Sequence, residues 1–520
     1  MSPTPPRSIP VSDLVDMVQD LRKNLTRQEQ LLEQLSASLQ QCQTVIHTEA
    51  QSQTIPGWLP EEKNAKVMDL LPELDIHKVE RSIGSPDVLA RIKQTLIGRA
   101  YQKFFKQIPF VRKAVFLLWR KLYPIYSNHI AIHVSSQTIR RWLPLVKLSD
   151  FVKISNHPTI KVFDASTVRT PAPNAVPDRD ATCLLSPHDQ YIFPPVYVAE
   201  IDDALVHGGT NLVFTRDAAI CHDQYNFERD YTSEELHGRH VIDINKKRMR
   251  LLQSDTEPEK IPIAATFIDA CAANYAHWLT EVLPRIATFC SVEHFSHVPI
   301  IINEGLHRNI MESLAVIVGA ERKIITLPVG RGINIDKLYI TSVTGYVPFE
   351  RRNVKLLDHS HGLFCPFAFD LVRDRIGLLS DQSCLQGLPK RLYLRRTSGS
   401  RKVANVVELE GLLAKNGYVA IEPEKLSFLE QVALFSSAES IVGSSGAALS
   451  NLIFSSANVR IDILIGKSEH TSFWYWQNIS CASGKTVRYV LGEVTESNAG
   501  IHSDFRVDVK DVSKGLGLGV

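Results

Sequence analysis

The chain has 520 residues and a formal net charge of +2, so it carries no overall basic surface of the kind that binds nucleic acid. Its apolar content of 44% is that of an ordinary globular protein, and its length predicts two or three domains. Eight scattered cysteines without a CxxC pair favour unpaired thiols in a reducing compartment over a disulfide scaffold or a zinc ribbon.

The first residues of the chain lack both the basic and the apolar stretch of a secretory signal. No apolar run reaches the roughly 20 residues that a membrane-spanning helix needs. We therefore expect a cytoplasmic protein. Residues 1–11 are rich in proline and are predicted to be disordered.

Residues 12–47 carry a heptad repeat in which the seam is interrupted at Gln28 and Cys42. The seam positions are Leu14, Val18, Leu21, Leu25, Gln28, Leu32, Leu35, Leu39, Cys42 and Ile46. This pattern predicts a coiled coil through which the chain forms a homo-oligomer. The alternative is a long helix packed on its own domain.

Residues 48–125 are predicted to be a helical, basic and amphipathic segment, and its most unusual part is residues 96–124, where lysines and arginines alternate with aromatic residues. Such a segment can lie against an anionic membrane, which would make the protein peripheral on the inner face of a membrane. The alternative is a pair of core helices whose lysines extend to solvent. No nucleic-acid-binding signature accompanies the basic residues, so no nucleic-acid partner is expected.

Residues 126–260 are predicted to form a mixed, β-rich part of an N-terminal lobe. The acidic sequence Asp178–Asp180 follows a proline-rich loop and no buried strand, so we interpret it as solvated surface. Two histidine pairs lack acidic or cysteine neighbours at the spacing of metal ligands. These pairs are His129 with His133 and His237 with His240. The sequence therefore predicts no metal site.

From Ile261 onward, apolar strands alternate with helical stretches, which predicts an α/β fold built from a pair of Rossmann-type domains. The predicted parts are a first Rossmann-like domain, an interdomain crossover, a second Rossmann-like domain, and a polar tail that we expect to be frayed. These parts cover residues 261–350, 351–385, 386–500 and 501–520, respectively.

In the first of these domains, His277 and Glu281 are four residues apart and share one face of a predicted helix. An imidazole beside a carboxylate is suited to proton transfer. The alternative is a histidine that caps the helix or packs beside Trp278. The residues alone do not rank the two side chains, because either can be the base and Glu281 can instead orient His277.

The second domain contains the predicted strands Arg391–Leu394, Tyr418–Ile421 and Ser440–Val442. Cations crowd the loop after the first strand, and a glycine-rich turn and a predicted helix follow the third. These cations are Arg395, Arg396, Arg401 and Lys402, and the turn is Gly443–Ala448. The carboxyl ends of parallel strands, and a helix N-terminus behind a glycine-rich turn, favour phosphate. The sequence therefore predicts an anion site here.

Three ordered motifs make the chain resemble glycosyltransferase family 61 over about residues 195–495. The first motif, Asn-aromatic-x-His-aromatic followed by Asp/Glu-x-Leu-Pro-Arg, is matched by Asn274, His277, Trp278, Glu281, Leu283, Pro284 and Arg285. The second motif, two arginines and an asparagine, is matched by Arg396, Arg401 and Asn405. The third motif, G-x-H-G-A-x-L-x-N-x-x-F, is matched by Gly443, Gly446, Ala447, Leu449, Asn451 and Phe454, but Ser445 replaces its histidine.

The resemblance implies a GT-B fold and an inverting, metal-independent transferase that needs no cofactor. Its expected partners are a nucleotide-sugar donor, often UDP-linked, and a glycan or lipid-linked acceptor in surface polysaccharide synthesis. The implied catalytic residues are His277 and Glu281, and the implied donor-binding residues are Arg396, Arg401, Asn405, Ser445, Gly446 and Ala447. Further candidates are Asn274, Arg285, Arg395, Asn451 and Glu422, of which the last can contact a ribose or cap a helix.

Two other functions remain open from the sequence. One is a sugar-nucleotide epimerase with the same architecture, which needs no acceptor. The other is a non-catalytic oligomeric scaffold, in which Ser445 would mark the loss of donor binding.

Overall fold

The computed structural model describes residues 142–178, 184, 189–227, 240–243, 247–251, 258–347, 362–377, 387–397, 399–467, 473–495 and 503–518. All of them belong to one compact unit, Leu71–Val520. The predicted coiled coil of residues 12–47 and the basic segment of residues 96–124 lie outside the described residues. Both therefore stay predictions from the sequence.

Strands dominate the first part of the described chain and alternate with helices in the second. In chain order, the described strands are β1 (Leu143–Lys147), β2 (Thr159–Phe163), β3 (Ser166–Arg169), β4 (Asn174–Val176), β5 (Gln190–Phe193), β6 (Val196–His207), β7 (Val213–Phe214), β8 (Ala219–Cys221), β9 (His240–Asp243), β10 (Arg248–Leu251), β11 (Glu259–Thr266), β12 (Ile300–Asn303), β13 (Ile324–Leu327), β14 (Gly332–Thr341), β15 (Gly345–Tyr346), β16 (Leu363–Phe364), β17 (Arg391–Leu394), β18 (Val419–Ile421), β19 (Ser440–Ser444), β20 (Arg460–Lys467), β21 (Arg488–Val494) and β22 (Phe505–Arg506).

The helices mostly connect consecutive strands. The described α-helices are α1 (Leu148–Ser155), α2 (Leu283–Cys290), α3 (Arg308–Val318), α4 (Pro366–Gly377), α5 (Val406–Lys415), α6 (Phe428–Ser437), α7 (Trp474–Ala482) and α8 (Val509–Leu516). One α-helical turn (Tyr275–His277) and a π-helical turn (Trp278–Val282) run without a break into α2, and 3-10 helices span Glu293–Phe295, Pro423–Lys425 and Ala447–Phe454.

The first sheet has the order β13-β12-β11-β14-β6-β7-β8-β1-β10-β9, and β2 also pairs with β6. Strands β11 to β14 pair in parallel in the order β13-β12-β11-β14, which is the 3-2-1-4 order that begins a Rossmann sheet. Strand β6 continues this sheet antiparallel to β14. The strand order reverses between β11 and β14, and the loops that follow both strands meet there.

The second sheet has the order β18-β17-β19-β20-β21-β22, and its first five strands are parallel. Counted along the chain this is the order 2-1-3-4-5 of a doubly wound sheet, whose reversal lies between β17 and β19. Strand β4, from the N-terminal β-rich region, adds to this sheet in parallel with β21. The sequence did not predict that this region would extend the second sheet.

Helices bury both faces of the two parallel regions. Along β12, Ile300 and Ile302 belong to a hydrophobic cluster that also contains Ile441 of β19, whereas Ile301 points into a separate cluster. On β19, the neighbouring Val442 faces a third cluster. Because successive side chains alternate across a strand, this pattern shows that both faces of each sheet are covered, as parallel sheets require. The described residues contain no helix long and apolar enough to cross a membrane.

The tail was expected to be frayed, and this prediction was wrong for residues 503–518. Phe505, Val512 and Leu516 are buried in one cluster with residues of the second sheet, and the Asp508 side chain caps α8 by accepting from the Lys510 N–H at 2.8 Å. The apolar residues of α8 recur at helical spacing, so one face of an otherwise polar segment is buried. The high polar content of this segment kept its buried face from being recognised in the sequence.

Candidate active site

The catalytic pair predicted from the sequence lies just after β11. The chain leaves this strand in a turn, and Asn274 then caps the next helical turn by accepting the Ala276 N–H at 3.0 Å. Asn274 therefore has a structural role as a helix cap, since its side-chain oxygen satisfies an N–H group that the helix leaves unpaired.

His277 and Glu281 contact each other through Nδ1 and Oε1, and both side chains are almost completely buried. The contact spans the π-helical turn Trp278–Val282, a local widening that is common at functional sites. The other Glu281 oxygen accepts the Val347 N–H at 3.2 Å. The carboxylate is thus fixed at both oxygens, and the His277 contact requires a proton between nitrogen and oxygen because two bare lone pairs would repel.

Glu281 lines a narrow cleft at the carboxyl edge of the first sheet. Its other wall residues come from α2, from β15 and the residue that follows it, and from the loops after β6, β8, β11 and β14. They are Asn211, His222, Asp269, Cys271, Arg285, Val343, Gly345, Tyr346 and Val347. The cleft therefore lies where the strand order of the first sheet reverses, which is where open α/β sheets bind ligands.

Arg285 and Asp269 form an ion pair in this cleft, with 3.2 Å between Nη2 and Oδ2. The same oxygen accepts from Asn211 Nδ2 at 3.2 Å, and Asn211 Oδ1 in turn accepts the Ala270 N–H at 2.6 Å. Sequence reasoning predicted Arg285 but missed Asp269 and Asn211. The only available signal was the position of Asp269 directly after a buried strand.

The arginines of the basic loop after β17 have different roles. Arg395 forms a bidentate ion pair with Glu410, at 2.7 Å for each of its two contacts, and lies 3.8 Å from Glu422. Glu422 also pairs with Lys425 at 2.9 Å. Arg395 and Glu422 are therefore neutralised by carboxylate and ammonium neighbours.

Arg396 has no carboxylate at ion-pair distance among the described residues. Its Nε donates to the Ser400 carbonyl at 2.6 Å, which aims the guanidinium across the loop toward the turn after β19. There a Cβ added to Gly446 would lie only 2.2 Å from Arg396 Nη1. Gly446 is thus required for close packing between the guanidinium and the turn.

Arg401 lies beside Arg396, and its Nε–H has no hydrogen-bond acceptor among the described residues. Burial, followed by the positive charge of Arg396, lowers the pKa of Arg401, and burial also lowers the pKa of Arg396. Arg401 adopts a left-handed backbone conformation with φ of 66°, which costs a non-glycine residue about 1–3 kcal/mol. Two desolvated guanidiniums and local strain are therefore concentrated at one place, which favours binding of an anion.

The predicted partners of these arginines have mostly structural roles. The Asn405 amide donates to the Val507 carbonyl at 2.9 Å and accepts the Val507 N–H at 3.1 Å, so it ties the basic loop to the tail. Ser445, which replaces the family's histidine, accepts from Trp476 Nε1 at 2.9 Å through its hydroxyl. The indole thus anchors the glycine-rich turn.

A cavity of about 330 Å³ opens at the carboxyl edge of the second sheet. It is lined by residues that follow β17, β18 and β19, together with residues from the first sheet's helices. These are Ala273, Tyr275, His307, Asn309, Ile310, Leu394, Arg395, Arg396, Pro423, Glu424, Gln431, Ser444, Gly446, Ala447 and Ala448. Glu424 lines this cavity and Glu422 does not, and the cavity has the size of a small-molecule site.

Hydrogen bonds join the two halves of the site. The Tyr275 hydroxyl donates to Asn451 Oδ1 at 2.9 Å, and Asn451 Nδ2 donates to Gln431 Oε1 at 2.8 Å. Asn451 is completely buried, so this candidate connects the first and third sequence motifs and does not line the cavity. Tyr275 is the aromatic residue of the first motif, a signal that the sequence contained.

Tyr475 and Trp476, at the start of α7, also connect the two halves. Burial, followed by the negative charge of Glu281, raises the pKa of the Tyr475 phenol well above its usual range, while the positive charge of Arg401 acts in the opposite direction. The phenol is therefore an electrostatic neighbour of both the predicted base and a predicted donor-binding cation. In the described part of the chain, no group of three or more His, Cys, Asp or Glu residues is arranged to hold a metal ion.

The α/β fold of the described residues thus contains a cavity lined by Arg395 and Arg396 and a cleft lined by Glu281 of the His277–Glu281 pair. The family model described as Glycosyltransferase 61 matches residues 275–461, which include every residue of the three motifs except Asn274. The chain therefore contains a glycosyltransferase family 61 domain, which supports its membership of that family and its identity as a glycosyltransferase. No curated protein matches it.

We predict that Asn451→Ala destabilises the fold by about 2–4 kcal/mol, because Tyr275 and Gln431 then lose buried hydrogen-bond partners. Tyr275→Phe, which keeps the ring, should cost about 1 kcal/mol. Denaturant unfolding of both variants and of the double variant measures the coupling. Strictly additive costs would show that the hydrogen bond between them contributes nothing to stability.

Proposed function

We propose that the protein is an inverting, metal-independent glycosyltransferase with GT-B architecture. It transfers a sugar from a nucleotide-sugar donor, UDP-linked in this proposal, to a hydroxyl of a glycan or lipid-linked glycan in surface polysaccharide synthesis. The observation that carries the proposal is the adjacent pair Arg396 and Arg401, which has no carboxylate at ion-pair distance among the described residues. Arg396 lines the 330 Å³ cavity.

The diphosphate of the donor would lie against these guanidiniums and the N-terminus of the 3-10 helix Ala447–Phe454. The first N–H groups of a helix have no intrahelical acceptor and favour an anion. Arginine binds phosphate oxygens through two parallel hydrogen bonds, and its charge stabilises a diphosphate leaving group as negative charge develops on it. In this proposal the two arginines supply the positive charge that a divalent metal supplies in other transferases.

Transfer with inversion is a single displacement. The acceptor oxygen forms a bond to the anomeric carbon while the bond from that carbon to the diphosphate oxygen breaks. The acceptor proton passes to the His277–Glu281 pair, which already shares one proton across its Nδ1–Oε1 contact and has capacity for another. Glu281 is the member of the pair that lines the cleft, so the proton enters the pair from that side.

The parts of the chain outside the described residues extend this proposal. The heptad repeat of residues 12–47 supports assembly of several copies, and the basic aromatic residues 96–124 support contact with an anionic membrane that carries the acceptor. Together they would concentrate catalytic domains on the cytoplasmic side of a membrane.

Arg396→Ala should weaken UDP binding by about tenfold to a hundredfold, because it removes a charge-assisted contact worth about 1.5–3 kcal/mol. Isothermal titration calorimetry with UDP measures the change. The matched control is Arg391→Ala, since Arg391 is exposed at the opposite end of the same strand. Equal UDP affinity for both variants would reject the donor site.

Gly446→Ala should weaken UDP binding comparably, because the new methyl group displaces the Arg396 guanidinium from the turn. The control is Gly411→Ala within α5, where an added Cβ meets nothing within 4 Å and should slightly stabilise the helix. Calorimetry should show weaker UDP binding for Gly446→Ala and unchanged UDP binding for Gly411→Ala. If Gly446→Ala binds UDP normally, the turn does not position Arg396 for the phosphate.

Glu281→Gln and His277→Ala should each preserve UDP affinity and lower sugar transfer by about 10²–10⁴-fold, the usual contribution of a general base. Mass spectrometry over a panel of UDP-sugars and glycosides identifies the transferred sugar and measures the loss. Full transfer by both variants would place the base elsewhere.

A further inference from the structure

The cleft at the edge of the first sheet differs chemically from the cavity at the edge of the second. The cavity contains Arg396 with Arg401 beside it, whereas the cation of the cleft, Arg285, is paired with Asp269. A site whose positive charge is already balanced has little preference for a phosphate. It instead presents hydrogen-bond donors and acceptors side by side, which suits a neutral ligand with hydroxyl groups.

We propose that this cleft binds the acceptor hydroxyl and that Asn211, Asp269 and Arg285 hold a neutral sugar against Glu281. This inference rests on the proposed transferase function, because it assigns the second substrate of the same site. None of the sequence motifs includes Asn211 or Asp269.

The hydrogen-bonding groups of the cleft match a carbohydrate. A sugar hydroxyl donates one hydrogen bond and accepts others. Asp269 provides a hydrogen-bond acceptor in the wall of the cleft, and Arg285 provides guanidinium N–H donors beside it. A hydroxyl that lies beside this ion pair can therefore use both of its roles.

The space in the cleft sets what can enter. The cleft has an accessible volume of about 20 Å³, enough for one water-sized group. One hydroxyl therefore fits beside Glu281, while the sugar ring stays outside the cleft. His222 and Tyr346 form a ring pair in the wall, with centroids 4.3 Å apart, which adds a flat ring surface to the cleft.

The cleft and the donor cavity flank the same turn of the chain. Cys271 lines the cleft, and Ala273, two residues later, lines the cavity. Tyr475 has both Glu281 and Arg401 as electrostatic neighbours, so the base and the diphosphate-binding side lie within the reach of one side chain. A hydroxyl in the cleft is thereby placed close to the reacting end of a donor in the cavity.

The test is saturation-transfer NMR with methyl glycosides of common neutral hexoses and pentoses, measured on the full chain. We expect at least one glycoside to bind the wild-type protein and to stay bound when UDP saturates the donor cavity. Arg285→Lys keeps the charge opposite Asp269 but loses the planar N–H groups, and it should weaken glycoside binding by about tenfold or more. Cys271→Leu fills the cleft without altering the ion pair and should abolish the signal.

Both variants should keep wild-type UDP affinity, and Arg391→Ala should keep both affinities. Displacement of the glycoside by UDP, an unchanged glycoside signal in both variants, or no binding of any glycoside to the wild type would overturn the assignment. Failure of the proposed function has a different signature, because it would remove UDP binding and leave the glycoside results intact.

Discussion

The candidate site depends on two half-buried guanidiniums that have no carboxylate at ion-pair distance among the described residues, although the charges of Glu424 and Asp504 act on Arg396 from farther away. Burial lowers the pKa of both Arg396 and Arg401, and the positive charge of Arg396 lowers the pKa of Arg401 further. Such an arrangement costs stability in the unliganded protein. A diphosphate would offset that cost on binding, so the unfavourable charge arrangement is a form of preorganisation.

Several structural features maintain that arrangement. Gly446 leaves the space that Arg396 occupies, Asn405 fixes the end of the basic loop to Val507, and Trp476 holds the turn through Ser445. The serine at the family's histidine position therefore has a structural role. Its hydroxyl is part of the support of the turn, and the backbone of the same residue lies beside Arg396.

The sequence predicted the α/β class, the strands of the second domain and the anion site, because short apolar strands followed by glycine or cations are local signals. The cluster of cations alone did not rank Arg395, Arg396 and Arg401, and only the second family motif set Arg395 apart, because its neutralising partner Glu410 lies on the following helix. The sequence also predicted a regular helix after Gly446 where the structure has a 3-10 helix. The buried role of Asn451 depends on Tyr275, which lies 176 residues away along the chain.

The first sheet shows the same limit of local reasoning. His277 and Glu281 were recognisable as a pair because helical spacing is local, but the cleft that Glu281 lines is built from loops after β6, β8, β11 and β14. Strand pairing alone does not predict this meeting, because β6 runs antiparallel to β14 and its end at His207 pairs with Gly332 at the start of β14. Asn211 and Asp269, which are 58 residues apart, are joined by a side-chain hydrogen bond.

The topology also explains why the two halves of the site form one unit. Each sheet brings a point of strand reversal to its carboxyl edge, and the segment Tyr275–Cys290 begins at one of these edges. Hydrogen bonds from Tyr275 to Asn451 and from Asn309 to the Leu426 carbonyl then join the helices of the first sheet to the second sheet. The His277–Glu281 pair lies on the segment that these bonds anchor. Buried contacts between the sheets therefore fix the position of this pair relative to the cavity that Arg396 lines, which the proposed in-line displacement requires.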